Sequence, residues 1–217
     1  MTALTIDVVS DVMCPWCYIG KKRLEIALSM RQSIPVDVRW RAYKLDPTIP
    51  DGGVDRVEYL EKKFGEKADA IYSQIEQTGR DVGIDFRFSD ISRSPNTTNA
   101  HRLIRWSYGQ NAQDDVVEGL FRSFFTEGGD VEDIDTLAAI AEHAGMDGKL
   151  VREVLETKAD KDAIDAEIRQ AQQIGVQGVP CFIFGARLAV MGAQAPEILA
   201  DAMDKALDAQ NAAAEAG

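Results

Sequence analysis

The sequence predicts an α/β fold in which a run of helices interrupts a sheet assembled from both ends of the chain. Three observations carry that expectation. The N-terminal part reads strand, helix, strand; the middle reads as amphipathic helices punctuated by Gly and Pro; the C-terminal part reads strand, strand, helix.

The segment LTIDVVS is short, apolar and rich in β-branched residues, as a buried strand should be. From Trp16 to about Met30 the period changes. Ile19, Leu24, Ala27, Leu28 and Met30 fit one helical face, with Lys21, Lys22, Arg23 and Glu25 mostly outside. IPVDVRWRAYKL then alternates, with Val36, Val38, Trp40 and Ala42 facing one way and Asp37, Arg39, Arg41 and Tyr43 the other. So short a strand–helix–strand succession predicts a βαβ unit with a right-handed crossover. DPTIPDGGVD is a loop by its Pro and Gly content.

A long helical region follows, in which Val57, Leu60, Phe64, Ala68, Ile71 and Ile75 step by three or four. SPNTTNAHRLIRWSYG predicts a turn and a helix, capped by Asn96 or Thr97 and stopped at Gly109. DDVVEGLFRSFFTEGG, DIDTLAAIAEHAG, DGKLVREVLE and ADKDAIDAEIRQAQQIG give four more helices. GVPCFIF and RLAVMG flank a short GAR connection and predict a hairpin. PEILADAMDKALDA opens on Pro196, a favourable first helical residue, and the Ala-rich DAQNAAAEAG behind it is expected to fray.

Twenty-four basic against thirty-six acidic residues leave a net charge of −12, which disfavours nucleic acid and anionic membranes as partners. MTALTIDVVSDVM has no basic region ahead of its apolar residues and does not read as a signal peptide. No apolar run approaches membrane-spanning length, so the expected location is cytoplasmic. There, stable structural disulfides are uncommon and those that form are usually catalytic or redox-sensing.

The chain has three cysteines: Cys14 and Cys17 in CPWC, and Cys181. Positions i and i+3 share a helical face, at a separation a disulfide can close with little backbone movement. Cys14 stands where strand becomes helix, beside unpaired N–H groups and the positive end of the helix dipole, which favour thiolate over thiol. Pro15 suits the first turn, where its missing N–H costs nothing. Cys14 is therefore the expected nucleophile and Cys17 the resolving thiol. Two other readings stand beside this one. The pair could be structurally inert, or it could bind metal together with Cys181 and His101 or His143, although a second CxxC is absent. The strand-to-helix setting favours the redox pair.

DVMCPWCYIGKKRLE, followed far downstream by GVQGVPCFIFGARLAVMGAQ, resembles the DsbA-like branch of the thioredoxin superfamily, within it the cytosolic FrnE-like thiol–disulfide oxidoreductases. RWRAYKLDP, NTTNAHRL and LFRSFFTEGGDVEDIDTLAAIAEHAGMD extend the resemblance over essentially the whole chain. It implies a thioredoxin-like fold interrupted by an inserted helical domain: residues 1–56 and 165–217 form the thioredoxin-like part, and 57–164 the all-helical insert. It implies disulfide exchange or isomerisation through Cys14 and Cys17, with substrate held near Pro15, Trp16, Val179 and Pro180. It also implies a cis peptide between Val179 and Pro180, where the residues alone favour a trans proline opening a strand.

Classical members of the wider family carry Pro-His between the cysteines; here Trp16 takes the histidine's place, so strongly oxidising behaviour does not follow. The related 2-hydroxychromene-2-carboxylate isomerases and kappa-class glutathione transferases place Ser where Cys14 stands, and give the alternative of a glutathione-dependent isomerase or transferase. In that setting Asn96 and His101 are candidate substrate contacts; their plain readings are a helix cap and a packed core histidine. A non-catalytic redox-sensing or chaperone-like binding module is a third class. No bound cofactor and no metal are expected, with glutathione a candidate co-substrate. The expected partners are disulfide- or thiol-bearing proteins or small molecules, and a homodimer stays open. Cys181 is expected to lie close to the Cys14–Cys17 pair, with its side chain turned inward as a small hydrophobe.

Overall fold

The structure is a computed structural model and describes residues 3–215. The elements are β1 (Leu4–Ser10), α1 (Pro15–Met30), β2 (Val36–Ala42), β3 (Val54–Asp55), α2 (Arg56–Phe64), α3 (Ala68–Arg80), β4 (Arg93–Ser94), α4 (Thr98–Tyr108), α5 (Gln113–Thr126), α6 (Ile134–His143), α7 (Gly148–Leu155), α8 (Lys161–Gln173), β5 (Cys181–Phe184), β6 (Leu188–Met191) and α9 (Pro196–Glu215).

The main sheet has the order β2-β1-β5-β6. β1 runs parallel to β2, with Val8 opposite Trp40, and antiparallel to β5, with Val8 opposite Phe182 and Val9 opposite Cys181. β1 is central and buried, which is why it reads as a near-continuous apolar run. Alternation splits its residues between two faces. Leu4, Ile6 and Val8 join Phe182, Phe184, α1 and α9 in the main core, whereas Val9 joins Tyr43, Ala171, Val176 and Cys181 under α8. The outer edge of β2 is closed by a side chain. The Gln113 amide accepts from Trp40 N–H at 2.9 Å and donates to the Ile104 carbonyl at 3.0 Å.

The insert shares the main core rather than forming its own. Tyr18 of α1 stacks on Phe121 of α5 at 5.1 Å, and Phe86 meets Tyr18 edge-on. A charged clamp runs beside these rings. Lys21, only 2% exposed, is ringed by Glu25, Asp114 and Glu118. Tyr18 Oη donates to Glu118 at 2.9 Å, and Lys22 reaches the same carboxylate at 2.9 Å. Burial opposes the Lys21 charge, but the three carboxylates outweigh it and hold the ammonium above its ordinary pKa. Lys21 thus departs from the expected outer face of α1, because its partners come from α5, far along the chain.

Other departures have local causes. The long helical region breaks into α2 and α3 around Gly65, which sits at φ +55, with a 3-10 turn over Gly65–Lys67. The segment 57–164 is not all-helical, since β4 pairs antiparallel with β3 (Val54 opposite Ser94), and its far boundary falls inside α8. Ala42 leaves the face of Trp40 and packs on Ile164 and Ile168. The Ala-rich end continues α9 to Glu215 instead of fraying within the described residues.

Candidate redox site

β1 ends at Ser10, and four residues, Asp11 to Cys14, deliver the chain to α1. Cys14 N–H donates to the Asp11 carbonyl at 3.0 Å, and Cys14 takes an extended conformation (φ −94, ψ 111) as the residue ahead of the helix. Pro15 is the first helical residue. No side chain caps this helix start and no acidic residue lies in its first turn, so the helix dipole meets the cysteines uncompensated.

The two sulfurs differ in surroundings. Cys14 is 3% exposed, and its Sγ reaches the Val179 carbonyl at 3.7 Å. Cys17 is 0% exposed. Burial first, then the contact with Cys14 and its charge, push the Cys17 thiol well above its ordinary pKa; the Asp11 N–H works against this, and the Asp11 carboxylate adds to it. Trp16 is half-buried and packs against the main core. The Val179–Pro180 peptide is cis, and Pro180 is buried against α1. Gly20 makes that approach possible, because a Cβ there would lie 2.9 Å from Pro180 Cγ. Cys14, Pro15, Trp16, Cys17, Val179 and Pro180 therefore converge.

Asn96, His101 and Cys181 stand differently. Asn96 accepts from Thr98 N–H at 3.1 Å, the turn that starts α4, and its amide donates to the Ile49 carbonyl at 2.9 Å. These bonds hold a loop to the insert. His101 is buried behind the redox turn. Its Nε2 lies 2.9 Å from the Tyr43 carbonyl, which only accepts, so this nitrogen donates; it also faces Asp11 Oδ1 at 3.6 Å. Cys181 follows Pro180, but its side chain belongs to the cluster under α8, apart from the core that holds Cys14 and Cys17. Burial pushes its thiol up. Among the described residues no three His, Cys, Asp or Glu side chains gather as metal ligands, and no helix is long and apolar enough to cross a membrane.

Sequence reasoning missed Asp11. Its side chain is 0% exposed and accepts from Leu45 N–H at 2.7 Å, while its carbonyl holds Cys14. It joins the end of β1, the redox turn, the exit of β2 and α4. An acid wedged between an apolar strand and CPWC is the signal that could have found it.

The comparisons agree with this fold. The model of the DSBA-like thioredoxin domain matches residues 5–204. A probable DsbA oxidoreductase from Streptomyces coelicolor superposes with a TM-score of 0.85 at 30% identity, covering 94% of this chain and 90% of that one. A Bacillus subtilis protein, YwbO, of uncharacterised function, is 28% identical over 83% of this chain and 86% of its own length. A solved 2-hydroxychromene-2-carboxylate isomerase shares the fold, with a TM-score of 0.72 at 19% identity, over 96% of this chain and 98% of the other. With its sheet order, its helix-start CPWC and its facing Pro180 loop, the chain belongs to the family of DSBA-like thioredoxin domains.

Proposed function

We propose that this protein is a cytoplasmic thiol–disulfide oxidoreductase that works through Cys14 and Cys17. The observation that carries the reading is the asymmetry of the two sulfurs. One lies at an uncompensated helix start against the Val179 carbonyl; the other is sealed one turn inside and held as a thiol. A thiolate at Cys14 attacks a substrate disulfide and forms a mixed disulfide, and Cys17 then displaces the substrate as a thiol. The backbone beside Pro180 offers the extended edge on which a peptide or a small thiol is held. The cycle needs no bound cofactor, and glutathione fits it as a co-substrate. Retention of both cysteines favours this chemistry over isomerisation with glutathione, where one sulfur would suffice.

The test is turnover on insulin and on a glutathione mixed disulfide by the parent, Cys14→Ser and Cys17→Ser. Activity should vanish in Cys14→Ser, and Cys17→Ser should accumulate the mixed disulfide. A folded Cys14→Ser protein that keeps activity refutes the reading.

A further inference from the structure

Arg56 opens α2 and is only 6% exposed. Its guanidinium is held between two rings, with Cζ 5.2 Å from the centre of Tyr72 and 5.7 Å from that of Phe88. Nη2 is sealed from solvent and has no hydrogen-bond partner among the described residues. Burial pushes the guanidinium below its ordinary pKa, and only the phenols of Tyr72 and Tyr59 work against this. A buried cation without a counter-ion is costly, and elsewhere the chain avoids one. Lys21 is ringed by three carboxylates, and Arg102 bonds the Val154, Leu155 and Ala159 carbonyls. Arg56 has no such set among the described residues.

Arg56 lines a pocket of about 300 Å³ between α2, α3 and the 3-10 turn Phe88–Asp90. None of the residues that form the redox site lines it, so binding here stands apart from the disulfide chemistry. Asp69, Tyr72 and Glu76 of α3 line it too, and their spacing of three and then four residues puts them on one helical face. Each acid therefore stands about one turn, about 5 Å along the axis, from the ring that Arg56 covers. Neither acid is paired with a cation among the described residues. Leu60 and Phe88 add apolar walls. The pocket thus joins a buried cation, two free carboxylates and apolar sides. A bare phosphate would suit Arg56 but meet both acids, and an apolar carboxylic acid would leave them without a partner. A zwitterion satisfies both signs of charge.

We infer that this pocket binds a free amino acid with an apolar side chain. Its carboxylate lies on the planar fork of Arg56, its ammonium is taken by Asp69 or Glu76, and its side chain rests on Leu60 and Phe88. The volume stands at the small end for ligand sites and suits one residue rather than a peptide.

The experiment titrates the reduced full chain with L-leucine and L-phenylalanine in a calorimeter, beside two matched probes. 4-Methylpentanoate is leucine without its ammonium, and 3-methylbutylamine is leucine without its carboxylate. Leucine should bind at one site, and each probe at least about tenfold more weakly, because each lacks one charge-assisted contact. Arg56→Met, which keeps an apolar stem, should lose leucine binding. Without ligand it should need no less urea to unfold than the parent, since it removes an uncompensated buried charge. Leucine should raise the melting temperature of the parent and not of Arg56→Met. A variant carrying Asp69→Asn and Glu76→Gln should bind leucine at least about tenfold more weakly, and 4-methylpentanoate no more weakly than the parent does. Binding of neither amino acid by the parent overturns the inference, as does equal binding by folded Arg56→Met, or inorganic phosphate binding more tightly than leucine. If Arg56→Met does not fold, the variant in Asp69 and Glu76 decides: an unchanged leucine affinity overturns the inference, and a loss confined to leucine supports it.

Discussion

Replacing Gly20 by Ala tests whether the distance between α1 and the Pro180 loop matters to the chemistry. The new Cβ would stand 2.9 Å from Pro180 Cγ and 3.1 Å from Phe182 Cζ. A proline ring has no rotamer in which to swing away, so the loop must recede by roughly half an ångström to restore ordinary contact. Two stability effects oppose one another. Alanine gains about 1 kcal/mol over glycine inside a helix. Overpacking a filled core costs about 1–3 kcal/mol. The net loss should therefore lie between roughly zero and 2 kcal/mol, too little to unfold the protein. Activity should suffer more. The loop carries the Val179 carbonyl, 3.7 Å from the Cys14 sulfur, and a misplacement of about 1 Å costs on the order of a hundredfold in rate. Half of that displacement predicts about a tenfold loss of turnover. Urea unfolding and insulin reduction, run on the same preparation, give both numbers. Gly109→Ala is the control: it meets no heavy atom within 4 Å and should leave turnover unchanged. A Gly20→Ala protein that gains the full helix increment and keeps parental turnover would refute the close-packing account.

Three further outcomes are expected. The folded pKa of Cys17 is raised, so the folded dithiol holds its proton more tightly than the unfolded chain. That stability is complete below the ordinary thiol value of 9.0 and is lost as pH rises above it. Chemical unfolding of the reduced protein across alkaline pH should show this loss, and Cys17→Ala should flatten it. Cys181→Ala should cost about 1 kcal/mol of stability while keeping most disulfide-exchange turnover, because its side chain packs under α8; loss of turnover equal to that of Cys14→Ala in folded protein would contradict this. The folded pKa of Glu118 is lowered: burial opposes its charge, but the Lys22 hydrogen bond and the Lys21 charge outweigh burial. Its contribution is present above the ordinary carboxylate range and lost as pH falls through the folded value, so Glu118→Gln should destabilise at neutral pH and converge on the parent in acid.

Local pattern made much of this molecule legible. β1, α1, β2 and the β5–β6 hairpin follow directly from period and turn residues, as does the placement of CPWC at a helix start. What stayed hidden depends on distant partners. Lys21 reads as a surface cation until Asp114 and Glu118 arrive from α5. The facing of Cys181 follows from pairing with Val9 rather than from its own neighbours, because that register puts it on the α8 side. A two-residue ladder such as β3–β4 is too short to carry a period. Asp11 was hidden because an acid in a turn usually faces solvent, and here β1, α1, the exit of β2 and α4 enclose it.

The sheet order sets the timing of assembly. β1 lies between β2, its near neighbour in the chain, and β5, which comes only after the whole insert. More than half of the 217 residues therefore separate Ala42 from the strand that Pro180 opens. Contacts so far apart in sequence are slow to form, since the intervening chain must be ordered before they repay its entropy. During synthesis Cys14 and Cys17 leave the ribosome long before Val179 and Pro180 exist, and in that interval no loop covers them. The two thiols are made first and enclosed last, so a newly made molecule meets its oxidants and reductants before it has a substrate site with which to choose among them.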